Sequence, residues 1–180
     1  MGADWYWIRT ATKRYMSARH AIHMLIDTVS KGGNLLLNVP LTPEGELEPE
    51  TIAMLTKMGQ CLDRIGEAIF STRCWIAAND GDGGIRFTRN KENTVLYVTN
   101  LGWSNDELRI RALGSARFGL KNLESVMLLG APGKLTYRQS ADELSIKTGP
   151  KAPFDSPAYA FKLTFNGQLP MLHHGNNGPQ

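Results

Sequence analysis

Several groups of side chains in this sequence have types and spacings that could do chemistry. Trp5, Tyr6 and Trp7 form an aromatic run beside Asp4. Aromatic faces pack against the C–H surfaces of sugars, and binding pockets are rich in them. Used structurally, the same run is a hydrophobic staple over the end of a core. Glu44 and Glu46 are acids in a Pro43-Glu44-Gly45-Glu46 turn. A catalytic role competes there with a solvated turn at a helix N-terminus, where the macrodipole favours acids, and the solvated turn is the stronger reading. His20 and His23 are three apart and could share one helix face, but no third metal ligand accompanies them, so solvated or capping histidines are expected. His173-His174 reads the same way. Asn79 to Gly84 holds an Asp-Gly-Asp-Gly-Gly run without the ligand pattern of a calcium loop, and a hairpin turn is expected. No Gly-rich phosphate loop, nucleophilic triad or zinc spacing is present, so no cofactor or metal is expected.

These residues must be positioned by a chain of 180 residues, 42% hydrophobic and 21% charged. That composition fits an ordinary globular fold and excludes disorder over most of the length. Two cysteines exclude a disulfide framework. Cys61 falls on the core side of an expected helix, and free thiols are favoured over a bridge between Cys61 and Cys74. No apolar run approaches the roughly 20 residues of a membrane helix, so no membrane partner is expected. A net charge of +3 is too small an excess to indicate nucleic acid. The start, Met1 to Trp7, lacks the basic and apolar regions of a signal peptide.

The first 66 residues have helical and buried-strand patterns. Tyr15, Ala18, Ile22, Leu25, Ile26 and Val29 make one amphipathic stripe, with Ser17 as N-cap and Gly32-Gly33 ending it. Asn34 to Val39 is apolar without alternation, as in a strand covered on both faces. Asn38 would end that strand and could hold a loop or a substrate water; Asn34 would start it in a structural role. After the Pro40–Gly45 loop, Pro49 suits a first helical turn, and Ile52, Leu55, Met58, Leu62 and Ile65 mark a second stripe. A doubly covered strand needs neighbours on both sides, and this half supplies none. It therefore reads as the closing piece of a larger α/β domain.

From about residue 70 the period becomes two. Ile85/Phe87, Val95/Tyr97/Thr99, Leu108/Ile110, Val126/Leu128, Leu135/Tyr137, Leu144/Ile146 and Tyr159/Phe161/Leu163/Phe165 alternate with polar neighbours, separated by turn-forming stretches. Short strands at this spacing predict an antiparallel sandwich. Its expected inward set is Phe87, Val95 or Leu96, Ile110, Val126, Leu128, Ile146 and Phe161. Residues 167–180 read as a disordered tail.

The segment Ser30-Lys31-Gly32-Gly33-Asn34-Leu35-Leu36-Leu37-Asn38-Val39-Pro40, followed by Thr42-Pro43-Glu44-Gly45, resembles the "VSKGGNLLLNVPPTPDG" signature of glycoside hydrolase family 29, the α-L-fucosidases. Gly66 to Trp75 resembles the family's "NGEAIYGTRPW", and Asp4-Trp5-Tyr6-Trp7 its "GDWFY" segment. Gly84 to Thr88 and Ser125 to Gly130 are similar to its C-terminal domain.

The resemblance implies a (β/α)8 barrel with a C-terminal β-sandwich. Residues 1–66 would be the C-terminal part of the barrel, including its last helix–strand–helix, and 67–166 the sandwich. Ile69, Phe70 and Trp75 would sit at the seam. It implies retaining cleavage of terminal α-L-fucose, with fucosylated glycans or small fucosides as partners. Such hydrolysis needs two carboxyl groups about 5 Å apart. No position here matches the family's nucleophile or acid/base, so neither is assigned, and this chain alone is expected to be inactive. Trp5, Tyr6, Trp7 and Asn38 are the candidate substrate-binding residues. Self-association through the incomplete barrel is expected. The alternatives are a non-catalytic carbohydrate-binding or scaffold sandwich, and an unstable truncation product.

Overall fold

The computed structural model describes residues 15–81 and 83–170. Two helices come first, α1 (Ala18–Ser30) and α2 (Pro49–Ile65). Both start as their sequences dictate. The Ser17 hydroxyl accepts the His20 N–H at 3.1 Å, satisfying one of the donors a helix start leaves unpaired. Pro49 occupies the first turn of α2, where its missing N–H costs nothing. Gly32, at φ +79°, carries the chain out of α1 in the left-handed conformation a glycine adopts without strain.

A single 3-10 turn, Gly66–Ala68, leads into eight strands. They are β1 (Arg73–Asn79), β2 (Ile85–Arg89), β3 (Val95–Asn100), β4 (Asp106–Ile110), β5 (Leu123–Leu128), β6 (Tyr137–Gln139), β7 (Leu144–Gly149) and β8 (Tyr159–Phe165). One sheet has the order β1-β2-β3-β8-β5 and the other β4-β7-β6. Every pairing is antiparallel.

The two sheets face each other across the larger core, which holds Phe87, Leu96, Val98, Ile110, Val126, Leu128, Ile146, Phe161 and Leu163. This is the expected inward set, with Leu96 inward rather than Val95. A second core lies on the outer face of the five-stranded sheet. Val95, Tyr97, Ala158 and Ala160 pack there against Ile22 and Ile26 of α1 and Met54, Met58, Cys61 and Ile65 of α2. The architecture is therefore three layers: helices, five-stranded sheet, three-stranded sheet. β8 serves both cores, Tyr159, Phe161, Leu163 and Phe165 on one face and Ala160 on the other. The alanines let the helices approach closely.

Polar ties fix the helices on the sheet. Asp27 of α1 accepts from Arg86 Nε of β2 at 2.7 Å and from Lys31 Nζ at 2.6 Å. Glu67 accepts from the Tyr97 hydroxyl at 2.9 Å and from Lys162 Nζ at 2.7 Å. The buried Thr88 hydroxyl donates to the Ala68 carbonyl at 2.7 Å. The Arg64 guanidinium lies 4.8 Å from the centre of the Phe154 ring, which stacks on Tyr159.

Four expectations need correction. Residues 34–39 form no strand among the described residues; the segment is extended, with Leu36 86% exposed. The neighbouring strands its apolar run called for are absent from this sheet. Trp75 lies inside the sandwich, edge-on to Phe87 and Phe118, and not at the seam. Phe70 is 60% exposed, so of the three expected seam residues only Ile69 packs with the helices. The start of the expected tail is also ordered by contacts. Leu169 is buried, its N–H donates to the Asn93 carbonyl and its own carbonyl accepts from Asn93 Nδ2.

Candidate functional site

The candidate site is the connection between the two helices, where the resemblance placed the sugar-facing end. Residues 34–41 run extended from the Gly32-Gly33 turn to a closed turn at 42–46. Side-chain exposure alternates along the run: Leu35, Leu37 and Val39 are half-buried, while Leu36 and Asn38 face outward. Leu37 and Val39 pack on the helical core, and this contact sets the alternation. Asn38 thus stands exposed four residues before the turn.

The turn is held by its own backbone. The Thr42 N–H donates to the Glu46 carbonyl and the Gly45 N–H to the Thr42 carbonyl, both at 2.9 Å. The Glu46 N–H donates to Thr42 Oγ1 at 3.3 Å. Gly45 has φ +84°, which explains a glycine there. Glu44 and Glu46 lie on the turn and are exposed to water. Two exposed carboxylates on a turn closed by its own backbone fit the solvated-turn reading.

Beyond the turn, Glu48 is the N-cap of α2 and accepts from the Tyr15 hydroxyl at 2.8 Å. This bond, helped by the negative charges of Glu48 and Glu50, pushes the Tyr15 phenol up to about 12. It ties the residue that leads into α1 to the residue that starts α2, closing the base of the connection. Sequence reasoning missed this pair, because 33 residues separate the partners and no local pattern signals it.

A cleft of about 570 Å³ opens between the start of α1, one face of α2 and residues 155–157. Arg19, Lys57 and Arg64 line it together with Glu50 and Asp155, so charges of both signs meet there. Cys61 lies at its floor. Burial pushes its thiol up, and its sulfur is 3.4 Å from the Ser156 hydroxyl. A thiol held protonated beside a hydroxyl is no nucleophile. A second groove, of about 620 Å³, lies between the end of α1, the start of the extended segment and residues 69–74.

The histidine pair separates in the structure. His23 Nε2–H donates to the Pro157 carbonyl at 2.9 Å, while His20 is exposed. No group of three His, Cys, Asp or Glu side chains among the described residues could hold a metal ion. Asp80 is no calcium ligand in this arrangement: its carboxylate accepts the N–H groups of Arg111 and Ala112 at 3.0 and 2.6 Å, capping the turn after β4. Of the four predicted binding residues, the structure places Asn38. Trp5, Tyr6 and Trp7 lie outside the described residues.

Comparison with known proteins bears on this arrangement. Residues 1–67 match the profile of the α-L-fucosidase family. An α-L-fucosidase of Branchiostoma floridae is 36% identical over 104 residues, covering 57% of this chain and 23% of that protein. The tissue α-L-fucosidase of Rattus norvegicus is 29% identical over 155 residues, 79% of this chain and 31% of its own length. Among solved structures, the Thermotoga maritima α-fucosidase superposes with a TM-score of 0.76 at 27% identity, over 91% of this chain and 37% of that one. The same enzyme in complex with fucose gives 0.74 at 28% identity. The chain thus spans about a quarter to a third of the length of the curated relatives it matches.

Proposed function

We propose that this chain, a relative of the α-L-fucosidases by sequence and by fold, supplies the sugar-facing edge and the sandwich buttress of a retaining α-L-fucosidase. The substrate class is terminal α-L-fucose on glycans or small fucosides, released by hydrolysis. One observation carries the reading most of the way. The helix–extended segment–helix unit is seated on a five-stranded sheet, and this whole arrangement superposes over 91% of the chain on an α-fucosidase of known structure.

In this reading Asn38, on the extended segment 34–39, reaches the sugar or a water beside it. Trp5, Tyr6 and Trp7 supply flat apolar surfaces for the sugar's C–H face. The sandwich holds α1 and α2 in place and does no chemistry. Retaining hydrolysis requires a carboxylate nucleophile and a second carboxyl as acid and then base, about 5 Å away. Neither is assigned within these 180 residues.

The test is hydrolysis of an aryl α-L-fucoside by the purified polypeptide, alongside fucose binding followed by tryptophan fluorescence. No turnover is expected, and the fluorescence response to fucose is expected to disappear in Trp5→Ala and Trp7→Ala. Turnover that is lost on changing Asp4 or Glu44 to the amide would place catalysis inside this chain and overturn the assignment. A second reading, a carbohydrate-binding or scaffold sandwich without catalysis, draws support from the continuous core between the two sheets.

A further inference from the structure

We infer that the groove between the end of α1 and residues 69–74 is a second carbohydrate-contact site, distinct from the turn at 42–46. The two lie at opposite ends of residues 34–41. Eight extended residues separate them by roughly 25 Å.

The inference starts from Phe70. Its ring is 60% exposed, which is unusual for so large an apolar group. The ring is held in place. One side rests on Gly66, so closely that a Cβ on that glycine would come within 3.0 Å of the ring. The Phe70 N–H donates to the Gly66 carbonyl at 2.7 Å. The next residue, Ser71, sits at φ +58°, a conformation that costs a non-glycine residue energy. Strain of this kind persists where the surroundings impose it, and it clusters at binding sites. Thr72 locks the same turn by donating from its hydroxyl to the Ile69 carbonyl at 2.9 Å. The turn therefore holds a ring that touches Gly66 along one edge and is otherwise largely exposed.

The walls of the groove suit the same ligand. Asn34 and Arg73 line it and are exposed. The Arg73 guanidinium uses Nη1 on the Thr72 carbonyl at 2.9 Å, which fixes its plane and leaves further N–H donors for hydroxyl oxygens. Leu25, Val29 and Leu35 supply an apolar floor. A largely exposed aromatic ring, planar multi-donor groups at the rim and a volume of about 620 Å³ fit one or two sugar rings. No carboxylate lines the groove, so a cationic ligand finds no partner there. The groove needs nothing from the assignment of Asn38, and each can fail alone.

Saturation-transfer NMR on the full chain tests it, with 2′-fucosyllactose and with lactose as probes. Transfer to at least one probe is expected. Phe70→Ala and Arg73→Gln should each weaken binding at least about fivefold, while Asn38→Ala should leave the groove signal in place. Both altered side chains are exposed, so the variants should keep the parent's far-UV circular dichroism, which is recorded in parallel. Absence of transfer from both sugars overturns the inference. So does transfer that survives Phe70→Ala and vanishes in Asn38→Ala, since that signal belongs to the other end of the segment. Binding of an apolar peptide with no sugar binding also overturns it.

Discussion

Truncating Phe161 to Ala should remove a large share of this protein's stability. Phe161 is 1% exposed and lies mid-strand in β8, between Val98 of β3 and Leu128 of β5 in the sheet register. Trp103 stacks above it at 6.5 Å between ring centres. Removing the ring leaves a cavity walled by three elements that backbone pairing holds apart, so little collapse can refill it. Burial of this kind places the loss at about 3–5 kcal/mol. A domain's whole stability is of order 5–15 kcal/mol. At this chain length each kcal/mol moves the midpoint by roughly 2–4 °C, so a fall of about 6–20 °C is expected. Guanidinium titration followed by far-UV circular dichroism and tryptophan emission would measure it, and Trp103, losing its neighbour, should change its native emission as well. A loss under about 1 kcal/mol, with unaltered native emission, would mean that Phe161 is not between the sheets, and the two-sheet packing would be wrong.

The opposite face of the same strand gives a contrasting expectation. Ala160→Leu should overpack the seam between β8 and the helices, costing about 1–3 kcal/mol, with amide exchange accelerated in α1 and α2 before the sandwich strands; uniform acceleration would refute two separable cores. For Asp27, hydrogen bonds from Lys31 and then Arg86 hold the carboxyl below its ordinary value. A folded-state pKa below the unfolded one contributes stability above about pH 4 that is lost as pH falls through the folded value, so Asp27→Asn should flatten the acid limb of a stability–pH curve. An unchanged acid limb would show that the pair with Arg86 does not persist in solution. Finally, Leu36, 86% exposed, with Leu41 and Ile52 also exposed, should drive self-association of the isolated chain, and Leu36→Lys should reduce it in sedimentation velocity. A wild-type monomer at all concentrations would refute that.

Much of this fold could be read from residue types alone, and the failures share a cause. Ser17, Pro49 and the two apolar stripes announced the helices because capping and amphipathicity are local. The period-two strands were legible for the same reason, down to Phe87, Val126 and Phe161. Residues 34–39 and β1 were not. An apolar run such as Leu35-Leu36-Leu37 records that a strand would be covered on both sides; it does not supply the cover. β1, by contrast, pairs with β2 as an edge strand, and Arg73-Cys74-Trp75-Ile76-Ala77-Ala78-Asn79 shows no alternation to reveal it. Trp75 read as a seam residue because its position in the chain is near the seam, whereas the strand turns its side chain inward. Asn38 was singled out from its place at the end of the apolar run, and the structure leaves it exposed there. The Tyr15–Glu48 bond and the perch of Phe70 were not, since both depend on partners brought together only by the fold.

The structure also explains why a sandwich far from the turn at 42–46 bears on that turn. The N-cap of α2, Glu48, stands two residues after the turn closes, so the turn points wherever α2 points. α2 is oriented at its other end by Arg64, whose guanidinium lies over Phe154 and whose stem runs past Gly130. A Cβ at Gly130 would come within 3.1 Å of Arg64 Cβ, and Gly130 has φ +80°, so this close approach of the sandwich to the helix favours glycine. Phe154 in turn stacks on Tyr159, whose hydroxyl donates to the Phe154 carbonyl at 2.7 Å and whose ring faces Trp103. A continuous set of contacts therefore runs from the sandwich core through Tyr159, Phe154 and Arg64 into α2. Packed cores transmit displacement because they have little free volume to absorb it. The sandwich sets the direction of α2, and α2 sets where the turn and the exposed Asn38 stand relative to anything that binds there.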